Sequence, residues 1–370
     1  MATMSAATDS IRAALEAVVD PTFDKDLGTL GSLLAVQEGQ EGIRIQVRLS
    51  SPSEALRQEL QSRLHRAAES AGVSKLNIEW DLQVPVREIQ ADDPLPGVAN
   101  VILVMSGKGG VGKSTVATNL ALALKQAGSR VGLLDADMYG PSLPTMLGIQ
   151  GHPVSRDGKK IAPLERFGLK LMSIGFLLED PHQAIVWRGP MLHGALQQFL
   201  SDVDWGELDY LVLDLPPGTG DVALTIAQKL RISGVVMVTT PQEVALQDVY
   251  KGISMCRKLN LPILGIVENM SFFVDSAGVT HYLFGQGGGA KVATFAEAPL
   301  LGQVPIDPQA REWGDAGTPV VQAQPSSPAS VALSAIAERL SEKVAQSHFA
   351  RGGGLKAPAS KAPTRLKILR

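Results

Sequence analysis

Ser106-Gly107-Lys108-Gly109-Gly110-Val111-Gly112-Lys113-Ser114-Thr115 is the stretch on which the reading of this chain turns. It follows the apolar run Val101–Met105, and a segment of helical character comes after it. From Gly107 to Ser114 the order fits G-x-x-x-x-G-K-[ST]. The layout has a chemical reason. Glycines let successive backbone N–H groups turn inward around a phosphate, and the helix start adds its partial positive charge. Gly107, Lys108, Gly109, Gly110, Val111, Gly112, Lys113, Ser114 and Thr115 are therefore the candidate nucleotide-binding residues. Lys113 is placed for the β- and γ-phosphates, the Ser114 hydroxyl for Mg²⁺, and Thr115 for the α-phosphate.

Working outward, apolar runs recur at Val131–Leu134, Leu169–Ile174, Tyr210–Leu215, Val235–Thr239 and Ile263–Val267, with helical stretches between them. Near-continuous apolar strands alternating with helices predict an α/β fold, a mainly parallel sheet covered on both faces. Residues 1–84 predict a small α+β domain ahead of it. There Asp9 is placed to cap a helix, Ile43, Ile45, Val47 and Leu49 alternate as a strand, Ser53–Ala71 suits a helix, and Leu76–Leu82 alternates again. Residues 85–97, with Pro85, Pro94, Pro96 and Gly97, read as a linker. The nucleotide-binding domain then spans 98–347, and 348–370, with six Lys/Arg and no acid, reads as a basic flexible tail.

Two strand ends carry acids toward the crevice where ligands of such sheets bind. One is Asp135-Ala136-Asp137, where Asp137 is the candidate for orienting an attacking water. Asp135 either assists at Mg²⁺ through water or caps a helix. The other is Asp214, an apolar run ending in a carboxylate, expected in the Mg²⁺ shell through water. The turn after it, Pro216-Pro217-Gly218, offers the Gly218 N–H to a γ-phosphate. Asn269, after Ile263–Val267, either pairs with an adenine edge or forms a turn. Lys113 and Asp137 are the expected catalytic residues, with ATP and Mg²⁺ as the expected cofactors.

Composition narrows the setting. The 370 residues are 45% hydrophobic and carry a formal net charge of −3, which argues against nucleic acid as a partner. No run approaches the roughly 18 apolar residues of a membrane span. The first residues lack a secretory pattern and the chain has one cysteine, Cys256, so the expected location is the cytoplasm.

Lys108 inside K-G-G-V-G-K-S resembles the deviant Walker ATPases, which include the MinD/ParA proteins. The resemblance implies an ATP-sandwich homodimer in which this lysine reaches the partner's phosphates. Five further blocks narrow it: D-A-D-M-Y-G-P-S (135–142), W-R-G-P-M (187–191), D-L-P-P-G-T-G-D (214–221), T-T-P-Q (239–242) and E-N-M-S-F-F (268–273). Together they look like the Mrp/ApbC-type iron–sulfur cluster carrier ATPases, and V-V-D-P (18–21) with L-G-T-L-G (27–31) resembles the small domain that precedes the ATPase in many of them. That likeness implies ATP-timed transfer of a cluster to apoprotein acceptors, or a role beside an assembly scaffold. One departure stands out. Asp275 and Gly278 occupy the places where such carriers usually have C-x-x-C, and Ser51-Pro52-Ser53 also lacks sulfur, so the iron–sulfur ligands are unassigned. A MinD/ParA-like ATP-switched positioning protein and an ATP-gated scaffold without a cluster are the alternative functions.

Overall fold

Strand β4 (Val101–Ser106) is buried along its whole length, as an apolar run must be when helices cover both faces of a sheet. In the computed structural model it is a central strand of an eight-stranded sheet. The structure describes residues 6–39, 42–138, 140–155, 158, 160–177, 189–218 and 220–351. The chain divides into two compact units, residues 87–340 and residues 1–86 with 341–370.

In the larger unit β4 is followed by α3 (Lys113–Gln126), β5 (Val131–Asp135), β6 (Leu164–Arg166), β7 (Leu169–Ser173), α4 (Gly189–Ser201), β8 (Tyr210–Asp214), α5 (Gly220–Lys229), β9 (Gly234–Thr239), α6 (Glu243–Lys258), β10 (Ile263–Glu268), α7 (Gly288–Ala296), β11 (Leu300–Gln303) and α8 (Pro328–Ala350). The strand order is β11-β10-β9-β4-β8-β5-β7-β6. Neighbours run parallel except β6, which pairs antiparallel with β7 at the edge. Leu103, Leu213, Val235 and Ile266 from four adjacent strands are fully buried in one core. Each such side chain contributes about 1.5–3 kcal/mol relative to exposure.

The smaller unit places α1 (Ala6–Glu16) and α2 (Glu54–Ser70) against a three-stranded sheet of β1 (Leu33–Gly39), β2 (Gly42–Leu49) and β3 (Leu76–Leu82). Leu15, Ile45, Val47, Leu60 and Leu64 form its fully buried centre. Ser53 caps α2 by accepting from Leu56 N. Asp9 does not cap α1: the helix already runs from Ala6, and Asp9 lies in its first turn. The residues of α8 from Ser341 onward group with this unit. Ser341 Oγ lies 2.7 Å from Ser51 Oγ, Gln346 Nε2 donates to Thr22 O at 2.9 Å, and the Phe349 ring centroid stands 5.2 Å from that of Phe23.

Two boundaries differ from expectation. Residues 87–97 are not a free linker but part of the larger unit, because the Arg87 guanidinium is buried against both Asp93 oxygens and donates to Leu95 O at 2.8 Å. The basic tail does not start at His348, since α8 continues to Ala350; residues 352–370 lie outside the described residues. Gly287 caps α7, and Gly288 and Gly289 form its buried first turn.

Candidate functional site

The loop after β4 obtains its shape from two left-handed glycines, Gly110 and Gly112, both at φ +78°. Gly112 is the N-cap of α3 and makes no side-chain cap, so the first backbone N–H groups of the helix remain for an anion. Only glycine fits at position 112. A Cβ there would stand 2.2 Å from Asn269 Nδ2, in addition to the cost of the positive φ. Lys108 is partly exposed, and its carbonyl accepts from the Ser106 hydroxyl at 2.9 Å.

Beneath the loop the sheet brings three strand ends together. Asp214 of β8 lies in register with Val104 of β4 on one side and with Asp135 of β5 on the other. The Lys113 ammonium is buried and forms an ion pair with Asp214 Oδ1, and it lies 3.4 Å from Ser114 Oγ. Burial holds the Asp214 carboxyl above the usual carboxylate range; the Lys113 charge opposes that shift, and the nearby Asp137 charge adds to it. Asp214 Oδ2 is buried and has no hydrogen-bond partner among the described residues. A buried carboxylate oxygen in that condition is costly unless a cation or water completes it.

Asp135 has donors on both of its oxygens. Its oxygens accept from Asp137 N at 3.0 Å, Ser142 N at 3.0 Å, Leu143 N at 3.3 Å and Ser173 Oγ at 3.1 Å. It therefore braces its own loop and the short helix behind it. Burial, then the Asp214 charge, pushes its carboxyl up to about 7. Asp137 is partly exposed, with Oδ1 accepting from Gly140 N at 3.3 Å. Ser173, which the sequence reading missed, is the fourth donor on Asp135; a lone serine ending an apolar strand was the available signal.

Two expected contacts are engaged otherwise. The Gly218 N–H donates to Ser106 O at 3.2 Å, so the turn after β8 rests on the loop in this state. Asn269 donates its side-chain amide to Val111 O at 2.9 Å and its backbone N–H to Thr239 O at 2.8 Å. Its amide nitrogen thus lies on the phosphate loop. Thr115 is partly exposed, and its carbonyl accepts from Asn119 Nδ2 at 2.8 Å. Trp187, Arg188, Tyr139 and Thr219 of the quoted blocks lie outside the described residues.

Nothing comparable gathers around sulfur. Cys256 is fully buried on α6 in the core, and burial pushes its thiol up to about 11. Among the described residues no three of His, Cys, Asp and Glu form a group able to hold a metal ion. On the hairpin Phe273–Val274/Thr280–His281, His281 Nε2 lies 2.7 Å from Asp275 Oδ2. These residues do not fit a cluster held by this chain's own thiolates.

A glycine-turned loop between a buried parallel strand and an uncapped helix defines a P-loop NTPase. The family model described as ParA, NUBPL iron-transfer P-loop NTPase, matches residues 97–341, and the chain belongs to that family. An iron–sulfur cluster carrier protein of Deinococcus radiodurans is 45% identical over 91% of this chain and 95% of its own length. Among solved structures, a nucleotide-binding protein of Archaeoglobus fulgidus in complex with ADP is 40% identical. It covers 62% of this chain and 92% of its own, with a TM-score of 0.54. The cell division ATPase MinD of Pyrococcus furiosus is 25% identical over 65% of this chain and 97% of its own, with a TM-score of 0.50. Among the described residues no helix is long and apolar enough to cross a membrane.

Proposed function

We propose that this chain binds Mg·ATP at residues 107–115, hydrolyses it, and uses the cycle in iron–sulfur cluster assembly or transfer to apoproteins in the cytoplasm. The observation that carries the reading is the buried Lys113–Asp214 pair beneath an uncapped helix start. Lys113, paired with Asp214 at the base of the loop, is the cation placed for the phosphates. Asp214 beside it is placed for a cation.

The donors present suit magnesium. Ser114 Oγ would hold the ion, and Asp214, whose buried Oδ2 has no hydrogen-bond partner among the described residues, would hold it through water. Such an ion would supply charge neutralisation to the phosphates. Asp137, at the adjoining strand end, orients the attacking water. Gly218, at the turn beside the loop, would offer its N–H to the γ-phosphate. Lys108 completes the site of a second copy in a homodimer, and the charge it brings acts on the transition state. Asn269 shapes the loop from behind.

Support for the cluster role comes from the family and from the carrier relative that spans nearly the whole chain. Since the one cysteine is buried, the thiolates that hold a cluster come from a partner or acceptor rather than from this chain. The same buried thiol favours a second reading, an ATP-gated scaffold that holds no cluster. The test is maturation of an apo iron–sulfur protein by a cluster donor, with and without this chain and Mg·ATP. The reading expects ATP-dependent acceleration that Asp137→Ala removes while ATP still binds. No hydrolysis and no acceleration by the wild-type chain would overturn it. Acceleration without iron ever co-purifying selects the scaffold.

A further inference from the structure

We infer that Glu268 is a positioning residue that acts through Asn269 to hold the phosphate loop in its binding shape, and that it ties that loop to the exposed hairpin 273–281. The inference rests on the nucleotide-binding reading above and extends it to a residue outside the loop.

Glu268 ends β10 with no exposed surface, and both its carboxyl oxygens are engaged. Oε2 accepts from the backbone N–H of Gly289, in the first turn of α7. Oε1 accepts from the Ser271 hydroxyl and from Gln303 Nε2, the latter at 2.6 Å, and Gln303 Nε2 also reaches Ser271 Oγ at 2.9 Å. The backbone joins in: Val304 N donates to Glu268 O at 2.8 Å and Ser271 N donates to Val304 O at 3.0 Å. A buried carboxylate is thus matched to a helix N-terminus that lacks a side-chain cap of its own. Glycine at 289 makes this possible, because a Cβ there would stand 2.7 Å from Glu268 Cβ.

Between the two anchored points the chain is held in a strained turn. Met270 adopts φ +54°, a left-handed conformation unfavourable for a side chain of this kind. That turn aims Asn269 at Val111 O and over Gly112. Beyond it, residues 271–289 leave the sheet and return, closed at their base by the same carboxyl group. They carry the hairpin with Val274, Val279, Tyr282 and Leu283 exposed. One buried acid therefore fixes three things: the turn that positions Asn269, the start of α7, and both ends of the excursion.

The test is a double-mutant cycle on the full chain. Glu268→Ala is expected to raise the ATP KM or the dissociation constant roughly tenfold, the scale of losing one buried charged hydrogen bond, with kcat of the saturated enzyme little changed. Glu268→Gln, which keeps an acceptor for Gly289 N, is expected to recover most of that loss. In an Asn269→Ala background the Glu268→Ala change is expected to add nothing further. Independent, multiplying effects on KM overturn the inference, as does an unchanged KM. Gln303→Met removes one donor while leaving Glu268 in place; it serves if Glu268→Ala does not fold, with a smaller rise in KM of the same kind expected and no rise overturning the inference. Amide exchange of nucleotide-free protein keeps the result separate from the ATPase reading. Glu268→Ala is expected to speed exchange at Val111–Lys113 and at 273–281 together. Faster exchange in only one segment, or in neither, refutes the link even if the protein proves to bind no ATP.

Discussion

Adding one methyl group at Gly112 tests the site geometry quantitatively. The Gly112→Ala Cβ would lie 2.2 Å from Asn269 Nδ2, and the backbone there has φ +78°. Holding alanine in the left-handed region costs about 1–2 kcal/mol. Relieving the clash expels the Asn269 amide from Val111 O, losing about 1 kcal/mol and leaving a carbonyl of a buried residue short of a donor. The total is roughly 2–4 kcal/mol, which the free protein escapes by letting the loop move and which nucleotide binding must then restore. The predicted weakening of Mg·ATP binding is about thirtyfold to about a thousandfold. Calorimetric titration reads it, and a thermal melt separates it from unfolding. In an Asn269→Ala background the steric part disappears, so Gly112→Ala should cost only the left-handed share, about tenfold. Binding by Gly112→Ala within about threefold of wild type, or an equal penalty in both backgrounds, refutes the reasoning.

Other outcomes follow from the same structure. Lys108→Ala should keep ATP binding and lose most turnover; normal turnover in that variant removes the idea that this lysine completes a partner's site. Cys256, fully buried and with its thiol pushed up to about 11, should resist iodoacetamide in the native protein and react once denatured, read by mass spectrometry. His348 is lowered from 6.5 to about 4 by burial, with the Arg351 charge adding to the effect. The unfolded chain therefore binds a proton that the folded chain refuses. Stability is present in full above the unfolded value and is lost as pH falls toward 4, by roughly 2 kcal/mol between about pH 7 and about pH 5. Denaturant melts should show wild type losing that share relative to His348→Gln as pH falls, because the opposite-signed Asp135 contribution is common to both proteins.

Much of this was readable from residues alone, and the reasons are local. Val101–Ser106, Tyr210–Asp214 and Gly234–Thr239 are buried throughout because both faces of the sheet are covered, so their apolar runs mark the strands to within a residue. The loop could be read because its glycines and Lys113 serve a backbone geometry with few sequence solutions. The edges were harder. Leu164–Arg166 and Leu300–Gln303 are short strands with little apolar signal. The glycine run at 287–289 reads as a loop until Glu268, distant in sequence, supplies the missing cap for α7. Arg87 and Asp93 sit among prolines and resemble a linker until their mutual burial is seen. The positions of Gly218 and Asn269 against the loop depend on contacts between strand ends that spacing does not encode.

The most direct measurement is titration of the purified full-length chain with Mg·ATP, beside Lys113→Ala. The account predicts saturable binding by the wild type that requires magnesium for full affinity, and none by the variant, whose Asp214 has lost its only ion-pair partner among the described residues. A folded wild-type protein that takes up no nucleotide, or a Lys113→Ala variant that binds as well as wild type, contradicts it.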